Sequence, residues 1–176
     1  MQALFEGLGA GAAQSLGVLS LISNNIGPAG AETLAAALHR GAMPKIEELY
    51  ISFNPIGNQG MASLTAALRK MTNLSSLGFS RCNIGDEGVA SLVADLGKDD
   101  YKQLETLNLG NDNQNISSVR SLITDAGEAK LAAAIDAGGL PKLAELWFPA
   151  RMGGSLALAA ARRGISNFSA EVAPNA

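Results

Sequence analysis

Large apolar residues return along this chain in one fixed order, and that order predicts its elements. Three segments superimpose without gaps: LGVLSLISNNIGPAGAETLAAAL from Leu16 to Leu38, IEELYISFNPIGNQGMASLTAAL from Ile46 to Leu68, and LSSLGFSRCNIGDEGVASLVADL from Leu74 to Leu96. Near the start of each, large apolar residues stand two positions apart, as Leu49 and Ile51 do. That period aims both side chains at one face of a short strand. Each segment ends with leucines four apart among alanines, as in Leu64 and Leu68. Such spacing marks a helix with one apolar face. Between strand and helix come an Asn or Cys (Asn24, Asn54, Cys82) and the run I-G-x-x-G. The side chain at this landmark is expected to point inward, where an Asn amide serves loop backbone that has no ladder partner. The Ile plugs the loop, and the glycines permit a tight turn into the helix.

The units start at Leu16, Ile46, Leu74 and Leu104. In the fourth, Leu104, Leu107 and Leu109 fill the strand positions and Asp112 stands where Asn belongs. The pattern then resumes only at Ile123, Gly127, Leu131 and Ile135, so GNDNQNISSVRSLITDAG holds an insertion of nine residues. That insertion, carried by the ten residues 113–122 where other units have one, is placed at the rim beyond the strand ends, where loops of repeat proteins cost little and often bind. Leu4 and Leu8 keep the helix-to-strand spacing, so residues 1–15 read as the end of an earlier, partial repeat. Either this lone helix caps the solenoid or the sequence is a piece of a longer repeat protein, and the piece is expected because MQALFEGL lacks the polar outer face of a cap. From 143 to 176 the strand pattern survives through Leu143, Leu146 and Phe148, then loses its signature. One divergent final helix and a loose tail are expected there, frayed from Pro174 to Ala176.

One such unit cannot bury its own apolar face; stacked neighbours supply the core, and residues 1–176 form a single domain. The repeated motif LxxLxLxxNxIGxxGxxxLxxxL resembles the leucine-rich repeats of the ribonuclease-inhibitor type. That resemblance covers about residues 4 to 148. It implies an α/β solenoid, a right-handed horseshoe with parallel strands on the concave face and helices on the convex face. It also implies a protein partner for the concave face or rim.

Composition narrows the chemistry. The 176 residues carry a net charge of −3, and the 13 Lys and Arg are scattered, so nothing resembles the basic stripe that nucleic acid requires. Cys82 is the single cysteine and His39 the single histidine. One thiol cannot make an internal disulfide, which fits a reducing, cytoplasmic setting. In the repeat frame His39 ends a helix while Cys82 follows a strand two repeats away, too far apart for a nucleophile and base. A zinc site of usual composition is excluded, and DNQNISS lacks the acidic alternation of a calcium loop. GLGAGA has no strand before it, so it is no dinucleotide fingerprint. No run is long and apolar enough to span a bilayer. The apolar start carries Glu6 and no Lys or Arg before Arg40, unlike a signal peptide. The sequons at Asn73, Asn115 and Asn167 are therefore expected to stay unmodified. Neither catalytic residues nor cofactors nor metals are expected.

The residues flanking the L-x-L positions face away from the helices. They read Val18, Ser20, Ile22; Glu48, Tyr50, Ser52; Ser76, Gly78, Ser80; Thr106, Asn108, Gly110; and Glu145, Trp147, Pro149. The middle column sets an exposed Tyr50 and the sole Trp147 on either side of a small polar floor, a plausible anchor for a partner. Glu48, Tyr50, Ser76, Asn108, Glu145 and Trp147 are the candidate protein-binding residues, and the two glutamates favour a basic or amide-rich partner. The same fold also serves Ran GTPase-activating proteins, so regulation of a small GTPase through rim residues Asn111, Asp112 and Arg120 is the alternative. A purely structural solenoid segment is the third.

Overall fold

The computed structural model describes residues 2–9, 11–97, 99–110, 122–148, 154–165 and 167–170. The elements alternate as the spacing predicts. Helix α1 (Gln2–Glu6) leads to β1 (Val18–Ser20), α2 (Pro28–His39), β2 (Glu48–Tyr50), α3 (Gly57–Leu68), β3 (Ser76–Gly78) and α4 (Asp86–Val93). Then follow β4 (Thr106–Asn108), α5 (Asp125–Asp136), β5 (Glu145–Phe148), α6 (Ser155–Arg162) and β6 (Asn167–Ala170). Among the described residues the six strands pair in parallel and in chain order, and each helix packs on its neighbour in sequence. The chain is an α/β solenoid with a strand layer and a helix layer.

The core lies between those layers. Leu49, Leu77, Leu107 and Leu146 stack in register along the sheet, all buried. Facing them are Leu34, Leu64, Leu92, Leu131 and Leu156 from successive helices, each fully buried. Each residue of this column hides its apolar surface against its own helix and the repeats beside it. Leu19, whose strand has a partner on one side among the described residues, is only partly buried.

Three features depart from the expected pattern. The expected loose tail instead contains β6, which pairs with β5 from Glu145↔Asn167 to Phe148↔Ala170. Residues 171–176, Pro174 to Ala176 included, lie outside the described residues. Asn24 does not point inward; it is exposed and its amide turns back to the Ile22 carbonyl (3.0 Å). The reason is visible one repeat later, where Asn54 is wholly buried and its amide serves the repeat before it. Asn54 Oδ1 accepts from the Asn24 and Ile26 N–H groups (3.0 and 2.8 Å), while Nδ2 donates to the Leu21 carbonyl (2.8 Å). Asn24 has no earlier strand–loop to serve among the described residues. Cys82 fills the same inward position, and its thiol makes long contacts to the Ile51 and Ser80 carbonyls (3.5 Å each).

The second glycine of I-G-x-x-G is not a turn glycine. Gly30, Gly60, Gly88 and Gly127 all lie inside helices, and at Gly60, Gly88 and Gly127 the preceding repeat comes close. A Cβ on Gly88 would stand 2.6 Å from Ile84 Cγ2 and 2.8 Å from Asn58 Oδ1; on Gly127, 2.5 Å from Asp86 Oδ1. Those oxygens belong to a capping relay between repeats. Asn58 Oδ1 accepts from Gly85 and Gly88 N–H at the start of α4, and Asp86 Oδ1 accepts from Thr124 and Gly127 N–H at the start of α5. Glu128 Oε1 does the same for Leu156 N–H of α6. Helices α4, α5 and α6 thus have orphan N–H groups satisfied from the repeat before them. Pro28 occupies this capping position in α2 and offers no side-chain acceptor, and α3 begins without a side-chain cap.

Candidate functional site

The open face of the sheet is built by the strand registers. Pairing runs Val18↔Glu48↔Ser76↔Thr106↔Glu145 in the first column and Ser20↔Tyr50↔Gly78↔Asn108↔Trp147 in the middle one. Glu48, Tyr50, Ser76, Asn108, Glu145 and Trp147 therefore share one surface, in two adjacent columns. Asn111, Asp112 and Arg120, the rim residues of the insertion, lie outside the described residues, as does Pro149.

Tyr50 is less free than its position suggests. Its ring lies against Gly78, where a Cβ would come within 2.8 Å of Tyr50 Cδ1. Its hydroxyl donates to Glu48 Oε2 (2.8 Å) and accepts from Ser76 Oγ (3.3 Å). The Ser76 hydrogen bond pulls the phenol pKa down, but burial and the Glu48 carboxylate together hold it above its ordinary value. The phenol is a fixed, half-buried platform. Trp147 is freer, with 42% of its surface exposed, and stands beside Asn108.

The floor between the two aromatics is polar and already satisfied. Ser52 and Ser80, expected to face outward, are buried. Ser52 Oγ accepts from Ser80 N–H (3.1 Å), Ser80 Oγ donates to Asn108 Oδ1 (2.7 Å), and that oxygen also accepts from Gly110 N–H (2.9 Å). Short hydroxyls reach across one strand spacing of about 4.8 Å. They seal the floor instead of presenting it.

Charge is arranged by strand end. Glu48 and Glu145 stand at the strand starts, with the Thr106 hydroxyl 3.5 Å from Glu145 Oε2. Just before the strands an open groove of about 260 Å³ is lined by Glu47, Thr72, Asn73, Ser75, Gln103 and Glu105. Past the strand ends are Phe53 and Arg81, with the guanidinium carbon 5.0 Å from the ring centroid. The sequence reading missed Glu47, Glu105, Phe53 and Arg81 because they lie outside the L-x-L columns. The signal for the last two was the aligned column Ser23, Phe53, Arg81, where a Ser gives way to large side chains.

Cys82 is buried, which pushes its thiol up to about 11 against hydrogen bonds from the Asn54 and Phe53 backbone that lower it. Among the described residues no group of three or more His, Cys, Asp or Glu converges to hold a metal, and no helix is long and apolar enough to cross a membrane.

The Leucine Rich repeat family matches residues 12–35, 42–64 and 70–93, the first three strand–helix units of the sheet. Over these residues the chain carries leucine-rich repeats, and its strand–helix units resemble those of the ribonuclease-inhibitor type. A Tonsoku-like protein from Bos taurus is 36% identical over 97 residues, covering 53% of this chain. The leucine-rich repeat chain spans only 7% of that relative's length. Among solved structures it is similar to leiomodin-1 actin-binding site 2, with a TM-score of 0.65, 10% identity, and 93% and 84% of the two chains covered. The Caenorhabditis elegans tropomodulin C-terminal domain gives a TM-score of 0.61 at 14% identity, covering 92% of this chain and 90% of that one. At such identities the likeness concerns the fold.

Proposed function

We propose that this chain is a non-catalytic protein-interaction module that binds a partner protein on its concave sheet face. The observation that carries the reading is the middle column, in which half-exposed Trp147 and the clamped Tyr50 bracket a floor that needs no solvent. Aromatic side chains held rigidly lose little entropy on binding and anchor interfaces. Use of this fold for protein binding is supported by the leiomodin-1 neighbour, whose name describes an actin-binding site. Glu48 and Glu145 at the strand starts favour a basic or amide-rich stretch of the partner at that end. Regulation of a small GTPase has no comparable support, because Asn111, Asp112 and Arg120 lie outside the described residues.

The test compares proteins retained from lysate by the wild-type chain, Tyr50→Ala and Trp147→Ala, with urea midpoints measured in parallel. Trp147→Ala should lose at least one retained protein while its midpoint stays near wild type, since the ring is exposed. Equal recovery by both variants would remove the concave face as the binding surface.

A further inference from the structure

Residues 23, 53 and 81 stand side by side just past the ends of β1, β2 and β3. Ser23 N–H donates to the Ser52 carbonyl (3.1 Å), Phe53 N–H to Ser80 (2.8 Å) and Arg81 N–H to Gly110 (3.3 Å). The strand ladder thus continues over the rim. All three residues are in the left-handed region, with φ of 58°, 62° and 53°. A short polar residue tolerates that conformation; a bulky aromatic rarely does, because its Cβ crowds the following carbonyl oxygen. Phe53 adopts it and still leaves 41% of its surface in water, while Ile22, next to this row, is 45% exposed. Burial does not offset the strain at Phe53. Strained backbone and contiguous exposed apolar side chains concentrate at ligand contacts.

Arg81 supplies the chemistry. Its guanidinium is held by the Phe53 ring, and its Nε is closed off from water with no hydrogen-bond acceptor. Among the described residues the ion pairs are those of Arg69 and Lys70 with Asp100, Lys102 with Asp99, and Arg162 with Asp136. Arg81 is in none of them. A guanidinium steadied by an aromatic ring and lacking its own carboxylate matches an incoming carboxylate in charge and in planar, two-pronged geometry.

We infer that Ile22, Phe53 and Arg81 form a docking patch for an acidic segment of the partner. An Asp or Glu carboxylate sits on Arg81, and an adjoining apolar side chain covers Phe53 and Ile22. This rests on the interaction-module reading and adds the chemistry of one contact. It gives the surface a polarity: anionic at the strand starts by Glu48, cationic at the rim by Arg81. Five residues of strand rise, Glu48 to Phe53, separate the two ends by roughly 16 Å.

The test selects a phage-displayed library of random 12-residue peptides on the intact chain, then measures the winners on variants by fluorescence anisotropy. Peptides pairing Asp or Glu with a neighbouring apolar residue should be enriched. They should bind Arg81→Gln and Phe53→Asn at least tenfold more weakly, and Arg81→Glu not at all. Phe53→Asn relieves the left-handed strain, so its Tm should equal or exceed that of wild type. That result separates docking from a structural role, for which Tm would fall together with binding. No enrichment of acidic peptides overturns the rim site. Peptides that need Trp147 yet bind Phe53→Asn and Arg81→Gln normally overturn it while leaving the concave-face reading standing. Indifference to every variant removes both.

Discussion

The same motif residue should be indispensable in one repeat and dispensable in the one before it. Asn54 and Asn24 occupy equivalent positions, yet Asn54 is wholly buried and Asn24 exposed. Replacing Asn54 by Ala strips the buried Ile26 N–H and the Leu21 carbonyl of the partners they have on its amide, along with the half-buried Asn24 N–H. The Ile51 carbonyl keeps the Cys82 thiol, and the Ser52 carbonyl keeps the Ser23 N–H, so these two are not orphaned. Each buried group left unsatisfied costs about 1–3 kcal/mol. Two of them give roughly 2–6 kcal/mol, centred near 4, a large fraction of the ~5–15 kcal/mol that holds a typical domain folded. Asn24→Ala loses one exposed bond to the Ile22 carbonyl and should cost under about 0.5 kcal/mol.

Urea unfolding followed by far-UV circular dichroism reads the pair. Trp147 fluorescence is the wrong probe, since Trp147 sits on β5, three strands from β2. Hydrogen exchange should place the loss of protection in the first two repeats, where the orphaned groups lie. If Asn54→Ala costs less than about 1 kcal/mol, or if the two variants cost the same, then the amide is not the link between repeats and the accounting of buried groups is wrong.

Two further outcomes follow from the helix layer. Gly88→Ala should lower Tm although Ala favours helix by about 1 kcal/mol. The added Cβ meets Ile84 Cγ2 at 2.6 Å and the capping Asn58 Oδ1 at 2.8 Å, and forced overpacking costs about 1–3 kcal/mol; a raised Tm would refute the close approach. The Asp86 cap should make stability acid-sensitive. Burial raises its carboxyl pKa, but hydrogen bonds from the Thr124 hydroxyl and from Thr124 and Gly127 N–H, with Lys130 nearby, hold it below the ordinary value. A depressed folded-state pKa contributes stability that is present above the unfolded value near 3.9 and lost as pH falls through the folded one. Asp86→Asn keeps an acceptor, as Asn58 shows at α4. Its deficit against wild type in urea midpoint should therefore be largest near pH 7 and vanish toward pH 3; a deficit constant with pH would exclude the carboxylate charge.

What the sequence revealed and what it hid divide along a physical line. Period-two leucines and leucines four apart are one-dimensional signals, each readable within a single unit, and they located β1 to β5 and α2 to α5. β6 escaped because its unit is shorter and has no I-G-x-x-G, although Ile165, Phe168 and Ala170 repeat the spacing of Leu143, Leu146 and Phe148. Contacts that run between units leave no such trace. Nothing in a single motif says that Asn58 caps the next helix, that the second glycine yields to a neighbouring Ile and acceptor, or that Ser52 and Ser80 bond across strands and vanish from the surface. The concave columns were legible because strand alternation fixes which way a side chain points. Its accessibility was not, since Tyr50 is tied down by Glu48 and Ser76 from its own and the next strand. The rim patch lay beyond the alternating positions altogether. Phe53 became visible only when its φ of 62° and its exposure stood together, two properties that pull against folding and so point away from it, toward a partner.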